Sequence, residues 1–169
     1  MRLLPFLFLL AGCPHPTVPQ AAQPAPVRLA SVLQSATDGP VEADDTALDA
    51  IVAEVQRRNL TPMAVSVSGP HRRRLEMLAE GASGGLVLLV ESTARFSSQM
   101  NGRYRWTVEV EARLADPAAL DDAATVDFTV PVHLLYAHER ENDALIAATP
   151  SIARRVGGLL DEWIQAQTH

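Results

Sequence analysis

A chain of 169 residues with 47% hydrophobic and 5% aromatic side chains is long enough for one packed domain and too apolar to be disordered. Its formal charge is -6 and all 14 basic residues are arginine, so the charge balance gives no basis for nucleic-acid binding. Cys13 is the only cysteine, which excludes an intrachain disulfide.

The first ten residues hold one charge, Arg2, followed by an aliphatic and aromatic stretch from Leu3 to Leu10. Spanning a bilayer takes about 20 residues, so this stretch is too short to cross and has the form of a secretory signal. It runs into Leu10-Ala11-Gly12-Cys13, which resembles the bacterial lipobox. The resemblance implies that residues 1–12 are removed as a lipoprotein signal peptide. It also implies that Cys13 becomes the acylated first residue, attached to a membrane by its lipid. An unpaired thiol at this one position fits that role better than chance. Residue 14 is Pro where enteric-type sorting associates Asp with inner-membrane retention. The expected location is therefore the periplasmic face of the outer membrane, with the outer leaflet of the inner membrane as the alternative. Residues 13–26, with prolines spread through PHPTVPQAAQPAP and no charge after Cys13, are expected to be an extended tether. At about 3.1 Å per residue it reaches roughly 40 Å.

Residues 27–169 are expected to form a single globular domain. Val27 to Leu33 fits a first strand or one turn of helix, and a strand is the reading taken. The turn-rich TDGPVEADD follows, and Asp45 or Thr46 caps a helix, with Asp49 in the capping-box relation to Thr46. Leu48, Ile51, Val52 and Val55 form its apolar stripe, and Pro62 prevents its continuation past Asn59. Met63 to Val67 alternates as a short strand, and Ser68-Gly69-Pro70 introduces a helix from His71 to about Gly81. Leu86 to Val90 is a continuous aliphatic run, as in a strand buried on both faces. It continues past Phe96 to a turn, SSQMNG, in which Asn101-Gly102 is a hairpin signal. Residues 104–114 then alternate, with Tyr104, Trp106, Val108, Val110, Ala112 and Leu114 on a dry side. A further alternating strand holds Val126, Phe128, Val130, Val132 and Leu134, and Pro131 places it at an edge or in a bulge. Asn142 caps a short helix. Thr149-Pro150 opens a final one with the stripe Ile152, Val156, Leu159, Leu160, Trp163 and Ile164, and Gly157-Gly158 is expected to pack closely on the sheet.

The resulting order, β-α-β-α-β-β-β-α, predicts an α/β (α+β) two-layer sandwich: a mixed sheet of about five strands with helices on one face. The chain shows no G-x-S-x-G, no Walker A sequence and no pair of histidines at helical zinc spacing. No catalytic residue, cofactor or metal is therefore expected, and the protein is not expected to be an enzyme. Glu109 and Glu111 are placed on a wet strand face, where solvation accounts for them. Arg72, Arg73 and Arg74 gather positive charge at a helix start, against the helix dipole. They form either a solvated helix face or a contact for an anion or partner.

The lipobox, the tether and the segments ALDAIVAEVQRRNLTPMAVSV, EMLAEGASGGLVLLVESTARF, RYRWTVEVEARLAD and SIARRVGGLLDEWI together resemble a group of envelope lipoproteins. Their folded part is similar to the N-terminal domain of TolB, and the group includes LpoB-like synthase activators and CsgG-like and PelC-like lipoproteins. The tether is short for an LpoB-like protein, and the chain lacks the extra length that CsgG uses for transmembrane hairpins. The resemblance implies a non-catalytic adaptor acting by contact with an envelope protein partner. The alternative is a lipid or glycan transport auxiliary similar to LptE.

Overall fold

The computed structural model describes residues 25–34, 41–82, 84–135 and 141–167. The signal segment, Cys13 and the tether up to residue 24 lie outside the described residues, as do His15, Ser83, His138 and His169.

The strands are β1 (Pro26–Gln34), β2 (Val41–Ala43), β3 (Thr61–Ala64), β4 (Leu86–Met100), β5 (Arg103–Ala115) and β6 (Ala124–Leu134). The helices are α1 (Asp45–Arg57), α2 (His71–Ala79) and α3 (Glu141–Gln167). The sheet runs β2-β1-β4-β5-β6, with β3 beside the first half of β1 and β2 beside its end. β1 is parallel to β3 and β4, and the remaining pairs are antiparallel. The mixed sheet and its helical layer are as the sequence predicts. The sixth strand, β2, falls in the stretch expected to be turn. It is three residues long and draws its pairing from Val32 to Gln34 of β1.

Period-2 alternation sends Val27, Leu29 and Leu33 to the same face as Leu88, Val90, Trp106, Val108 and Val132. On that face α1 and α3 pack their stripes, with Ile51, Val55, Ile152, Val156 and Leu160 fully buried. The other face has a smaller core, in which Leu75 and Leu78 of α2 cover Ala30, Val87, Leu89 and Ala115. The helices are thus not all on one face. Both β3 and β4 lie parallel to β1 but on opposite sides of it, so the β1-α1-β3 and β3-α2-β4 connections cross in opposite directions. A common right-handed crossover then puts α1 and α2 on opposite faces. β4 is apolar on both sides only as far as α2 covers it, and from Glu91 onward it alternates.

Four local features differ from their sequence reading, the first being β3, which covers Thr61–Ala64 and not Met63 to Val67. Asp44, not Asp45 or Thr46, caps α1, accepting from the Ala47 amide at 3.0 Å. The expected turn SSQMNG is mostly strand. β4 runs to Met100, with a bulge between Phe96 and Ser98, and only Asn101 (φ 52°) and Gly102 (φ 75°) make the turn. Positive φ at both positions is the type I′ geometry that matches strand twist. The two expected C-terminal helices are one, with Pro150 inside it. Ala144, Leu145, Ala148 and Ile152 make an uninterrupted buried stripe across the proline, so packing holds the halves in line. Thr149 Oγ donates to the Leu145 carbonyl at 2.9 Å.

Gly157 packs against α1 rather than the sheet. A Cβ there would lie 2.7 Å from Arg58 Nη2 and 3.0 Å from Glu54 Oε2. The space lets Arg58 form a bidentate pair with Asp161 of α3, both contacts at 2.7 Å, while it also holds Glu54 at 2.6 Å. At Gly85 (φ +88°) a Cβ would stand 2.2 Å from the Pro26 carbonyl oxygen, so the entry to β4 requires glycine.

Candidate functional site

The face carrying α2 is only partly covered. Beyond the helix the strands present polar side chains, and a groove of about 640 Å³ opens between the start of α2 and β4, β5 and β6.

α2 starts after Pro70, whose fixed φ suits a helix entry, and has no side-chain cap. Its three arginines have separate fates. Arg72 is exposed and lies 3.5 Å from Glu76 one turn on. Arg73 is exposed and reaches Glu80 at 2.8 Å, which holds its guanidinium pKa above the usual arginine value. Arg74 is only 4% exposed. It donates to the Gly69 carbonyl at 2.8 Å and pairs with Glu91 of β4. The expected cationic patch therefore reduces to Arg72 and Arg73, because helical periodicity turns the third residue onto the sheet. Buried in this way, Arg74 is not available to an outside partner.

Glu91 is the first polar side chain of β4 on this face. One of its oxygens, Oε1, meets Arg74, and the other, Oε2, meets His71 Nδ1. The register sets Glu91 opposite Glu111 on β5, and Glu111 opposite Asp127 on β6. Three carboxylates thus form one row across three strands. Arg113 pairs with Glu111 Oε1, and Arg95 pairs with Glu109 at 3.0 Å. Asp127 has no ion-pair partner among the described residues. Ligand atoms of His71, Glu91 and Glu111 all lie within 4.8 Å of one another. His71 Nε2 is buried without a hydrogen-bond partner among the described residues.

This grouping was not visible to a search by spacing along the chain. Its members come from α2, β4, β5 and β6, and the sequence reading of Glu109 and Glu111 as solvated is incomplete. Glu111 is part of the cluster. The available signal was a carboxylate on the wet side of each of three successive strands, which is informative only once the register is known.

A second feature lies at the far end of the sheet. β1 last pairs with β4 at Ser92, and the β4–β5 hairpin continues eight residues further, to Met100. At about 3.3 Å per residue it extends roughly 25 Å past the end of β1, in the direction opposite to Pro26. Phe96 and Met100 are 53% and 68% exposed there. Phe96 stacks edge-on to Trp106 at 5.7 Å and lies 6.5 Å from Tyr104. Arg103 and Arg105 make no ion pair among the described residues, and together with Met100 and His133 they line a shallow depression of about 480 Å³.

No family model matches the chain, and no curated protein sequence matches it. Among solved structures it is similar to protein XCC0632 from Xanthomonas campestris, of family designation DUF330. The TM-score is 0.50 at 16% identity over 90% of this chain and 95% of that one. This likeness shows a shared fold. A Caulobacter crescentus CB15 protein follows at 0.48 and 14% identity, over 82% and 91% of the two chains. Lipoprotein GNA1162 from Neisseria meningitidis gives 0.43 and 13%, over 84% and 99%. Neither of these two scores is high enough to support an argument. Among the described residues no helix is long and apolar enough to cross a membrane.

Proposed function

We propose that this protein is a bacterial envelope lipoprotein, held by a lipid on Cys13 at the periplasmic face of the outer membrane. There it acts without catalysis, as an adaptor that contacts another envelope protein. The lipobox-like Leu10-Ala11-Gly12-Cys13 supports the anchor. The fold shared with XCC0632 is compatible with the proposal and does not separate a TolB-like from an LptE-like relationship.

The observation that carries the adaptor reading is the projecting hairpin. Unpaired arginines next to exposed Met100 on one face, with exposed Phe96 on the other face of an extension formed by β4, β5 and the end of β6, are the residue types enriched at protein interfaces. The extension lies at the end of the sheet opposite Pro26, clear of the point where the tether joins.

The test is photo-crosslinking in intact cells from position 100, with position 121 as the control. The expected result is one discrete protein adduct from position 100, lost when Arg103 and Arg105 are both changed to Glu and lost when Cys13→Ala prevents anchoring. Equal labelling from both positions refutes the extension as the contact. Native mass spectrometry showing a stoichiometric lipid or glycan replaces the adaptor reading with that of a transport auxiliary.

A further inference from the structure

We propose that His71, Glu91 and Glu111 form a site for a borderline divalent transition ion, with zinc the best match. One imidazole and two carboxylates form a mixed nitrogen and oxygen donor set, and the groove beside them leaves coordination positions for water. Tetrahedral ligands at about 2.0–2.2 Å from zinc stand roughly 3.5 Å apart, so a 4.8 Å cluster closes with side-chain adjustment alone.

Two arginines next to a cation site look unfavourable, but their contacts fit the role of outer partners. Arg74 takes Oε1 of Glu91 and Arg113 takes Oε1 of Glu111. Each pair fixes a carboxylate; the second oxygen of Glu111 has no partner among the described residues, and that of Glu91 lies against His71 Nδ1, where a shared ion would take the place of their direct contact. Ligating carboxylates are commonly held in this way by an outer hydrogen bond. Arg74 and Arg113 are therefore positioning residues.

Two further observations point to an ion. The first is the row Glu91-Glu111-Asp127, in which like charges stand directly opposite, an arrangement that destabilises a sheet. Asp127 has no counter-charge among the described residues, and a dication one position away supplies it. The second is the buried Nε2 of His71, an unmet hydrogen-bonding group that a bound ion or its coordinated water accommodates.

The experiment uses the full chain in detergent, stripped with a chelator and titrated calorimetrically with zinc and, separately, with magnesium. A thermal melt is recorded at each end point. The expected result is one equivalent of zinc and a higher melting midpoint, with no response to magnesium. His71→Ala and Glu111→Gln should each weaken zinc binding at least about tenfold, since even outer-partner losses cost that much. Asp121→Asn, on the loop after β5, should leave it unchanged. Metal-free melts of each variant check the fold. If His71→Ala proves unstable, Glu111→Gln decides, because Glu111 is at the groove surface. The proposal is overturned if the parent binds no zinc or responds equally to magnesium. It is also overturned if Glu111→Gln binds within twofold of the parent, which would place the ion elsewhere on the chain.

Discussion

Replacing Arg74 by methionine tests whether α2 is held on the sheet by a buried ion pair. Arg74 and Glu91 have side chains 5% and 12% exposed, so removing the cation leaves a carboxylate that water reaches poorly. Breaking a buried pair on one side costs about 3–5 kcal/mol. Glu91 keeps its contact with His71 and borders the groove, which puts the cost at the lower end, about 3 kcal/mol. For a domain of this size that lowers the melting midpoint by roughly 6–12 °C. The double variant Arg74→Met, Glu91→Leu removes both charges and replaces them with apolar groups of similar volume. It should recover most of the loss, since such replacements are often neutral. Urea denaturation in the presence of a chelator measures both, with unchanged m-values confirming that midpoints report stability. A single variant costing less than about 1 kcal/mol, or a double variant equal to the sum of the two singles, refutes the buried-pair account.

Two other outcomes follow from the helices. Pro150→Ala restores an amide to the Ile146 carbonyl inside a continuous helix and should raise stability by about 1–3 kcal/mol; a lower midpoint would show that the α3 packing depends on the proline ring. Burial raises the Asp44 carboxyl pKa, so the native state binds its proton more tightly than the unfolded chain does and loses stability as pH rises through the folded value. Asp44→Asn keeps the cap and has no such loss, so its stability relative to the parent should grow from acid to neutral pH, while Asp44→Ala should cost about 1 kcal/mol. A difference independent of pH over that range would count against the burial argument.

The parts of the fold that were legible in the sequence are those where one residue's partner is its near neighbour. The alternation from Tyr104 to Leu114 and the Asn101-Gly102 turn needed no knowledge of the rest of the chain. β2 was hidden because three residues have no pattern of their own. The unbroken course of α3 was hidden because proline's local penalty is outweighed by a buried stripe that only packing reveals. The position of α2 depended on the order of strands in the sheet, which the chain order of elements does not specify. The same holds for the groove. Glu91, Glu111 and Asp127 are far apart in sequence, and no spacing rule joins them before β4, β5 and β6 are aligned. Arg74 could be separated from Arg72 and Arg73 only once the buried side of α2 was known.

Pro131 sits within β6, opposite Thr107, at the outer margin of the sheet. A strand there offers a row of free amides and carbonyls to any passing chain, a second copy of this one included. Proline on an edge strand lacks its amide on the solvent side, so a second copy cannot zip along β6 without leaving a hydrogen bond unmade. The protein carries its own guard against fibre-like self-association on the one full-length margin where it would start.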